Sequence, residues 1–200
     1  MKKILFLTVM LIFVNFFSGC SYNSLVSMEE NVSNAWGQVE NQYQRRFDLI
    51  PNLMSTVQGA AEFEKSTLVD VTEARSKVSQ IKISSADLND PEKFAAFQKA
   101  QDGLSSALSK LMVVVEKYPD LKANQNFLNL QSQLESTENR IANERKKYND
   151  AVQQYNSSLR SFPTIISAKI FGFREKQYFK AAEGTDKAPK VNFEFDRKNK

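Results

Sequence analysis

Glu135 and Glu138 stand three residues apart, a spacing that puts two carboxylates on one helix face, where they could divide general-acid and general-base roles. Arg140 is close by, and the segment reads as a solvated helix face, so the pair carries little expectation of catalysis. The remaining inventory narrows the chemistry further. The sequence contains no histidine, which excludes Ser-His-Asp and Cys-His nucleophiles and the Glu-x-x-His pattern of metal sites in helical bundles. Its six glycines are scattered and form no phosphate-cradling loop. Cys20 is the single cysteine; it has no partner for a disulfide within the chain, and committed elsewhere it supplies neither a zinc site nor a thiol nucleophile. We expect a non-enzyme with no metal, no cofactor and no small-molecule substrate.

The position of Cys20 points to a different chemistry, lipid attachment. Met1-Lys2-Lys3 is a charged start, and Ile4 to Phe17 is apolar except for Thr8 and Asn15, as in a secretory leader. That run is about 14 residues, roughly 21 Å as a helix, against a hydrocarbon core of about 30 Å. Phe17-Ser18-Gly19-Cys20 resembles the lipobox read by the bacterial lipoprotein signal peptidase, with phenylalanine where leucine is usual. The alternative is an ordinary or uncleaved leader followed by a chance cysteine. We expect residues 1–19 to be a lipoprotein signal peptide and Cys20 to carry the lipid. More than one acyl chain makes such anchoring durable. The body then stands in the bacterial cell envelope, on the outer membrane or the periplasmic face if the cell has two membranes.

Removing Lys2 and Lys3 lowers the formal charge from +4 to +2. The remaining excess lies between Asp186 and Lys200, so the body is close to neutral. A nucleic-acid partner would call for a basic face or stripe, and none is expected here.

Stepping along the chain, Leu25, Met28, Val32, Ala35 and Val39 recur at three- and four-residue intervals, a helix face. Ile50, Leu53, Val57, Ala60, Thr67, Val71, Ala74, Val78 and Ile81 keep the rhythm, interrupted by Glu64. Between these stripes lies the run Gln42 to Leu53. Pro51 fits a helix's first turn or a kink, and Asp48, three residues earlier, is a suitable N-cap. We therefore expect a hairpin with a new helix starting at Asp48 and ending near Lys82; the alternative is one long helix bent near Phe47. Asp90-Pro91 starts a third helix, and Tyr118-Pro119 stops it. A fourth runs from Asn124 to Phe162. Four long amphipathic segments with short links indicate an all-α, antiparallel four-helix bundle over residues 20–182.

Arg46, Glu64, Gln101, Thr137 and Glu144 interrupt the apolar stripes. They either pair across helices, as Arg45 or Arg46 could with Glu64 or Glu144, or lie at stripe edges and reach water. Arg45, Arg46, Asp48 and Pro51 are the candidate hinge or partner site. Pro163 to Ala182 is dense in apolar residues without a clean period, an irregular extension expected to fold back over the bundle end; the competing possibility is a membrane-interface patch. Residues 183–200 read as a polar tail, with Lys190 to Phe195 alternating like a short strand.

Longer motifs resemble a known family. Tyr22-Asn23-Ser24-Leu25-Val26, Asn34-Ala35-Trp36, Asp48-Leu49-Ile50-Pro51-Asn52-Leu53, Thr72-Glu73-Ala74-Arg75, Tyr118 to Asn124 and Thr137-Glu138-Asn139-Arg140-Ile141-Ala142 closely resemble the bacterial LemA family. The resemblance covers nearly the whole chain after Cys20. It implies a four-helix bundle held at a bacterial membrane, without established enzymatic activity and with no catalytic residues to carry over. Cys20 before the Tyr-Asn motif sets this chain apart from members that keep an apolar anchor. The function expected is that of a membrane-anchored scaffold or adaptor for another envelope protein, with a self-assembling, lipid-contacting membrane organiser as the alternative.

Overall fold

A computed structural model of the chain describes residues 2–59 and 63–181, with side chains from residue 21 onward. All regular structure among them is helical: α1 (Lys2–Gln58), α2 (Lys65–Gln80), a 3-10 turn (Ser85–Asp87), α3 (Pro91–Val115), α4 (Pro119–Lys122), α5 (Gln125–Arg160) and α6 (Thr164–Phe171). The strand expected at Lys190 to Phe195 and the polar tail from residue 183 lie outside the described residues.

Two helix starts follow directly from side-chain chemistry. The Asp90 carboxylate accepts from the amides of Glu92 and Lys93 at 3.0 and 3.1 Å, with Pro91 at the first helical position, where its missing N–H leaves no bond unmade. Asn124 Oδ1 likewise accepts from Asn126 and Phe127 at 2.9 and 3.2 Å.

The joint at Asp48–Pro51 differs from the expected hairpin. α1 runs through it unbroken with Pro51 inside, and Asp48 caps nothing; it accepts from Gln44 Nε2 one turn back, at 2.7 Å. The energetics explain the difference. A proline inside a helix costs about 3 kcal/mol. Ile50, Leu53 and Val57 are each 0% exposed on α1, and burying such side chains contributes about 1.5–3 kcal/mol apiece, which outweighs the proline penalty. Two rows seven residues apart cross the proline without a change of phase: Leu25, Val32, Val39, Arg46 and Leu53, and Trp36, Tyr43, Ile50 and Val57, all buried. The helix break falls instead between Gln58 and Lys65, so the expected second helix is the last turns of α1 followed by the separate α2. Pro51→Ala restores an amide donor and should stabilise the fold by about 1–2 kcal/mol after the lost rigidity of the unfolded chain is subtracted. Thermal unfolding checks this; a lower midpoint would show that the proline itself stabilises α1.

α1 packs along α5, and α2 along α3. Residue numbers rise along α1 as they fall along α5, from Tyr43 beside Arg145 to Arg46 beside Glu138, so these two helices run in opposite directions. The apolar core is in two blocks. One joins Leu25 to Tyr43 of α1 with Phe94 and Phe97 of α3 and Ile141 to Leu159 of α5. The other joins Ile50 to Val57 with Leu104 to Val115 of α3 and Phe127 and Leu134 of α5. On each of these helices the gap between blocks is a polar residue: Arg46, Gln101 and Thr137, all buried.

The C-terminal stretch is not uniformly irregular. Thr164–Phe171 is helical and ends at Gly172, whose φ of 76° is the left-handed conformation that favours glycine at a helix C-terminus. Residues 173–181 then fold back, but alongside α5 and α3 and not over the bundle end as expected, because their backbone is held by Asn156, Asn149 and Gln98.

Candidate functional site

Arg46 is 1% exposed in a row whose other members, Leu25, Val32, Val39 and Leu53, are 0% exposed. A charge taken so far out of water costs several kcal/mol unless acceptors surround it. Two helices supply them. Nη1 donates to Glu138 Oε1 of α5 at 2.7 Å and to Ser105 Oγ of α3 at 2.6 Å. Nη2 donates to Gln101 Oε1 and, at 3.4 Å, to the Gln101 carbonyl. The guanidinium also lies 5.2 Å from the centre of the Tyr43 ring, a favourable cation–π distance.

A second arginine extends this layer. Arg145 of α5, one heptad beyond Glu138, donates from Nε to Tyr43 Oη at 2.6 Å and from Nη2 to Asp102 at 2.9 Å. Burial pushes the Tyr43 phenol above its ordinary range, against the pull of Arg145 and Arg46, so the hydroxyl stays neutral and accepts. An open cleft of about 490 Å³ borders Ser105, Glu138, Arg145 and Phe179, which leaves the Glu138 side chain 39% exposed. Chemically, the layer is cohesive: both Nη groups of Arg46, and Nε and Nη2 of Arg145, are engaged by acceptors on three helices, and Arg46 Nε alone is buried without a partner among them.

Of the candidate hinge or partner residues, only Arg46 reaches this layer, where it meets Gln101 and Glu138, which the sequence also singled out. Arg45, Asp48 and Pro51 face solvent on the outer side of α1. Cys20 lies within α1, and its side chain is outside the described residues. The expected partners of Arg46 are corrected: Glu64 lies 3.8 Å from Lys117 and Glu144 bonds Lys147 at 2.8 Å, because the register of α1 on α5 sets Glu138 opposite Arg46. Glu135 accepts from Gln131 at 3.0 Å, while Glu138, which borders the same groove, takes Arg46. The signal for Glu138 and Arg145 was their heptad row with Val152 and Leu159, which are 0% and 5% exposed.

The second built feature is the strap after Gly172. Asn156 donates to the Lys176 carbonyl at 2.9 Å and accepts its amide at 3.0 Å. Asn149 does the same for Phe179, at 3.0 and 2.9 Å, and Gln98 of α3 for Lys180, at 2.7 and 3.1 Å. The geometry follows from two rises. Asn149 and Asn156 are one heptad apart, about 10.5 Å along a helix at 1.5 Å per residue, and three extended residues span about 10 Å. The strap therefore lies extended and opposite in direction to α5, so that two side-chain amides meet residues three apart. Phe179, 7% exposed, enters an aromatic box, stacked on Trp36 with centroids 6.0 Å apart and lying 5.0 Å from Phe94 and 5.4 Å from Tyr148. The Arg145 guanidinium lies 4.8 Å from the Phe179 ring, which joins the strap to the polar layer.

The LemA family model matches residues 35–193, a span that holds both the layer and the strap. The chain belongs to the LemA family. Among the relatives of this LemA chain is magnetosome protein MamQ 2 of Paramagnetospirillum magneticum, 29% identical over 82% of this chain and 66% of the relative. Magnetosome protein MamQ of Magnetospirillum gryphiswaldense is 27% identical over 79% of this chain and 64% of its own length. Protein LemA of Metamycoplasma hominis is 27% identical over 80% of this chain and 69% of its own length. The chain thus spans just under two thirds of the length of the magnetosome relatives.

Proposed function

We propose that this LemA-family chain is a membrane-anchored, non-catalytic envelope protein, lipidated at Cys20 after loss of residues 1–19. In this reading α1, α2, α3 and α5 form an antiparallel four-helix bundle, and its outer helical surface serves as a scaffold or adaptor for another envelope protein. The observation that carries the reading is where the charged groups go. The arginines with the most specific surroundings, Arg46 and Arg145, are turned inward and paired. The outer side of α1 is left with exposed polar residues such as Asn41, Arg45, Asp48 and Asn52, a surface suited to contact more than to reaction.

A photoreactive amino acid at Arg45, activated in intact envelopes, should yield a discrete protein adduct, and the same probe at buried Val39 should not. Failure to recover any specific adduct at Arg45 would remove the adaptor role. Labelling with a palmitate analogue in wild type and Cys20→Ala tests the anchor separately, with label expected only in the former.

A further inference from the structure

α6 is turned inside out. Its small residues Ser167 and Ala168 are buried, whereas Ile166 and Ile170 are 53% and 72% exposed. Phe162, in the turn just before α6, is 82% exposed, and Phe171, the last residue of α6, is 53% exposed. A helix bordering water ordinarily turns its apolar stripe inward. Four large apolar groups exposed within residues 162–171 form an apolar surface that a second phase or partner covers. The strap does not cover it, because Phe179 is turned into the aromatic box.

The place of the patch identifies its occupant. The Phe171 ring lies 4.7 Å from that of Tyr22, two residues after Cys20, the attachment point in the reading above. The stripe therefore sits beside the point where α1 leaves for its anchor. Cations border it. Arg160 and Lys176 are engaged with Glu175 and Glu29, while Lys169 and Arg174 are exposed and form no ion pair among the described residues. An apolar stripe edged by free cations, next to a membrane attachment point, is the pattern of a helix lying in a bilayer interface and drawn to anionic lipid.

We propose that Phe162, Ile166, Ile170 and Phe171 bed into the headgroup–acyl boundary of a bilayer containing anionic lipid, with Lys169 and Arg174 on the phosphates. The body is then held at two points, the anchor and α6, and its long axis is oriented on the membrane. This inference rests on the anchored reading above.

The test uses the full chain, reconstituted in vesicles of phosphatidylcholine with or without phosphatidylglycerol. Ile170→Trp reports at the patch. Trp36, fourteen residues along α1 from Tyr22 and so roughly 21 Å away, is the internal control. Flotation reports attachment, and far-UV circular dichroism confirms that the exposed substitution leaves the fold intact. Brominated acyl chains should remove most of the emission of the added indole and leave Trp36 unchanged. The loss should be greater with phosphatidylglycerol, and Lys169→Glu with Arg174→Glu should cancel that increment. A chain that floats while its residue-170 indole ignores brominated lipid overturns the α6 contact and leaves the anchor standing. Emission that follows protein density and not bromine assigns the patch to a second copy and likewise overturns it. A chain that does not float overturns both.

Discussion

Truncating Glu138 to alanine should lower the unfolding free energy by about 3 kcal/mol, and Arg46→Met by about 1–2 kcal/mol. The order is the informative part. Glu138→Ala leaves the Arg46 guanidinium, 1% exposed, among neutral acceptors only. Removing one member of a buried pair costs about 3–5 kcal/mol, and the 39% exposure of the Glu138 side chain screens part of the attraction and places the value at the low end. Arg46→Met deletes the buried charge itself. Glu138 can then turn to water, and the cost reduces to donors lost by Gln101 and Ser105. At roughly 2–4 °C per kcal/mol for a chain of this size, Glu138→Ala should melt about 6–12 °C lower than wild type. Urea titration at unchanged slope measures both variants. The combined Arg46→Met, Gln101→Leu and Glu138→Leu variant should regain most of the loss, because apolar groups of similar volume replace a buried ionic layer at little net cost. If Arg46→Met proved worse than Glu138→Ala, the layer would be acting through the bulk of the arginine and not its charge.

Phe179→Ala should release the strap and cost about 3 kcal/mol, the lower range for emptying an aromatic site. The loss is expected to be local. Phe179 is the one strap residue inside the aromatic box, and without it the three amide pairs, the two hydrogen bonds of the Gln177 backbone and the Lys176–Glu29 ion pair must hold the segment against the entropy of about nine freed residues, at roughly 1 kcal/mol or more each. Lys176, 8% exposed, should resist trypsin in the wild type and be cut early in the variant, while α1 to α5 remain intact. Near-UV circular dichroism from Trp36 should fall, since the stacked ring 6.0 Å away is removed. Unchanged cutting after Lys176 would mean that the polar contacts of the strap secure it without the aromatic ring.

The helix starts at Asp90 and Asn124 were legible because capping chemistry is local. The helix break after Gln58 was not. Ala60, Glu64 and Thr67 continue the three-and-four rhythm of Val57 into Val71, so a change of helix is hidden behind an unbroken period, and Pro51 offered a more conspicuous but false boundary. Arg46 could be recognised as a polar intruder, yet its partner depends on the register of α1 against α5, which neither helix encodes alone. Glu64 and Glu144 lie on the visible stripes; Glu138 lies on the neighbouring row with Arg145, Val152 and Leu159. The strap was invisible to periodicity for a different reason. Its hold on the bundle comes from Asn149, Asn156 and Gln98 meeting backbone groups, and backbone groups leave no trace in residue type.

The strap is also the last part of its own docking site to be synthesised. Its seat is assembled from α3, α5 and the carbonyl of Leu88, which accepts from the Gln177 amide at 2.8 Å. Until a ribosome has released residues 176–180, Trp36, Phe94 and Tyr148 have one open side, and Asn149 and Asn156 lack their backbone mates. A chain cut before residue 176 would thus carry an open aromatic notch, which the strap latches shut.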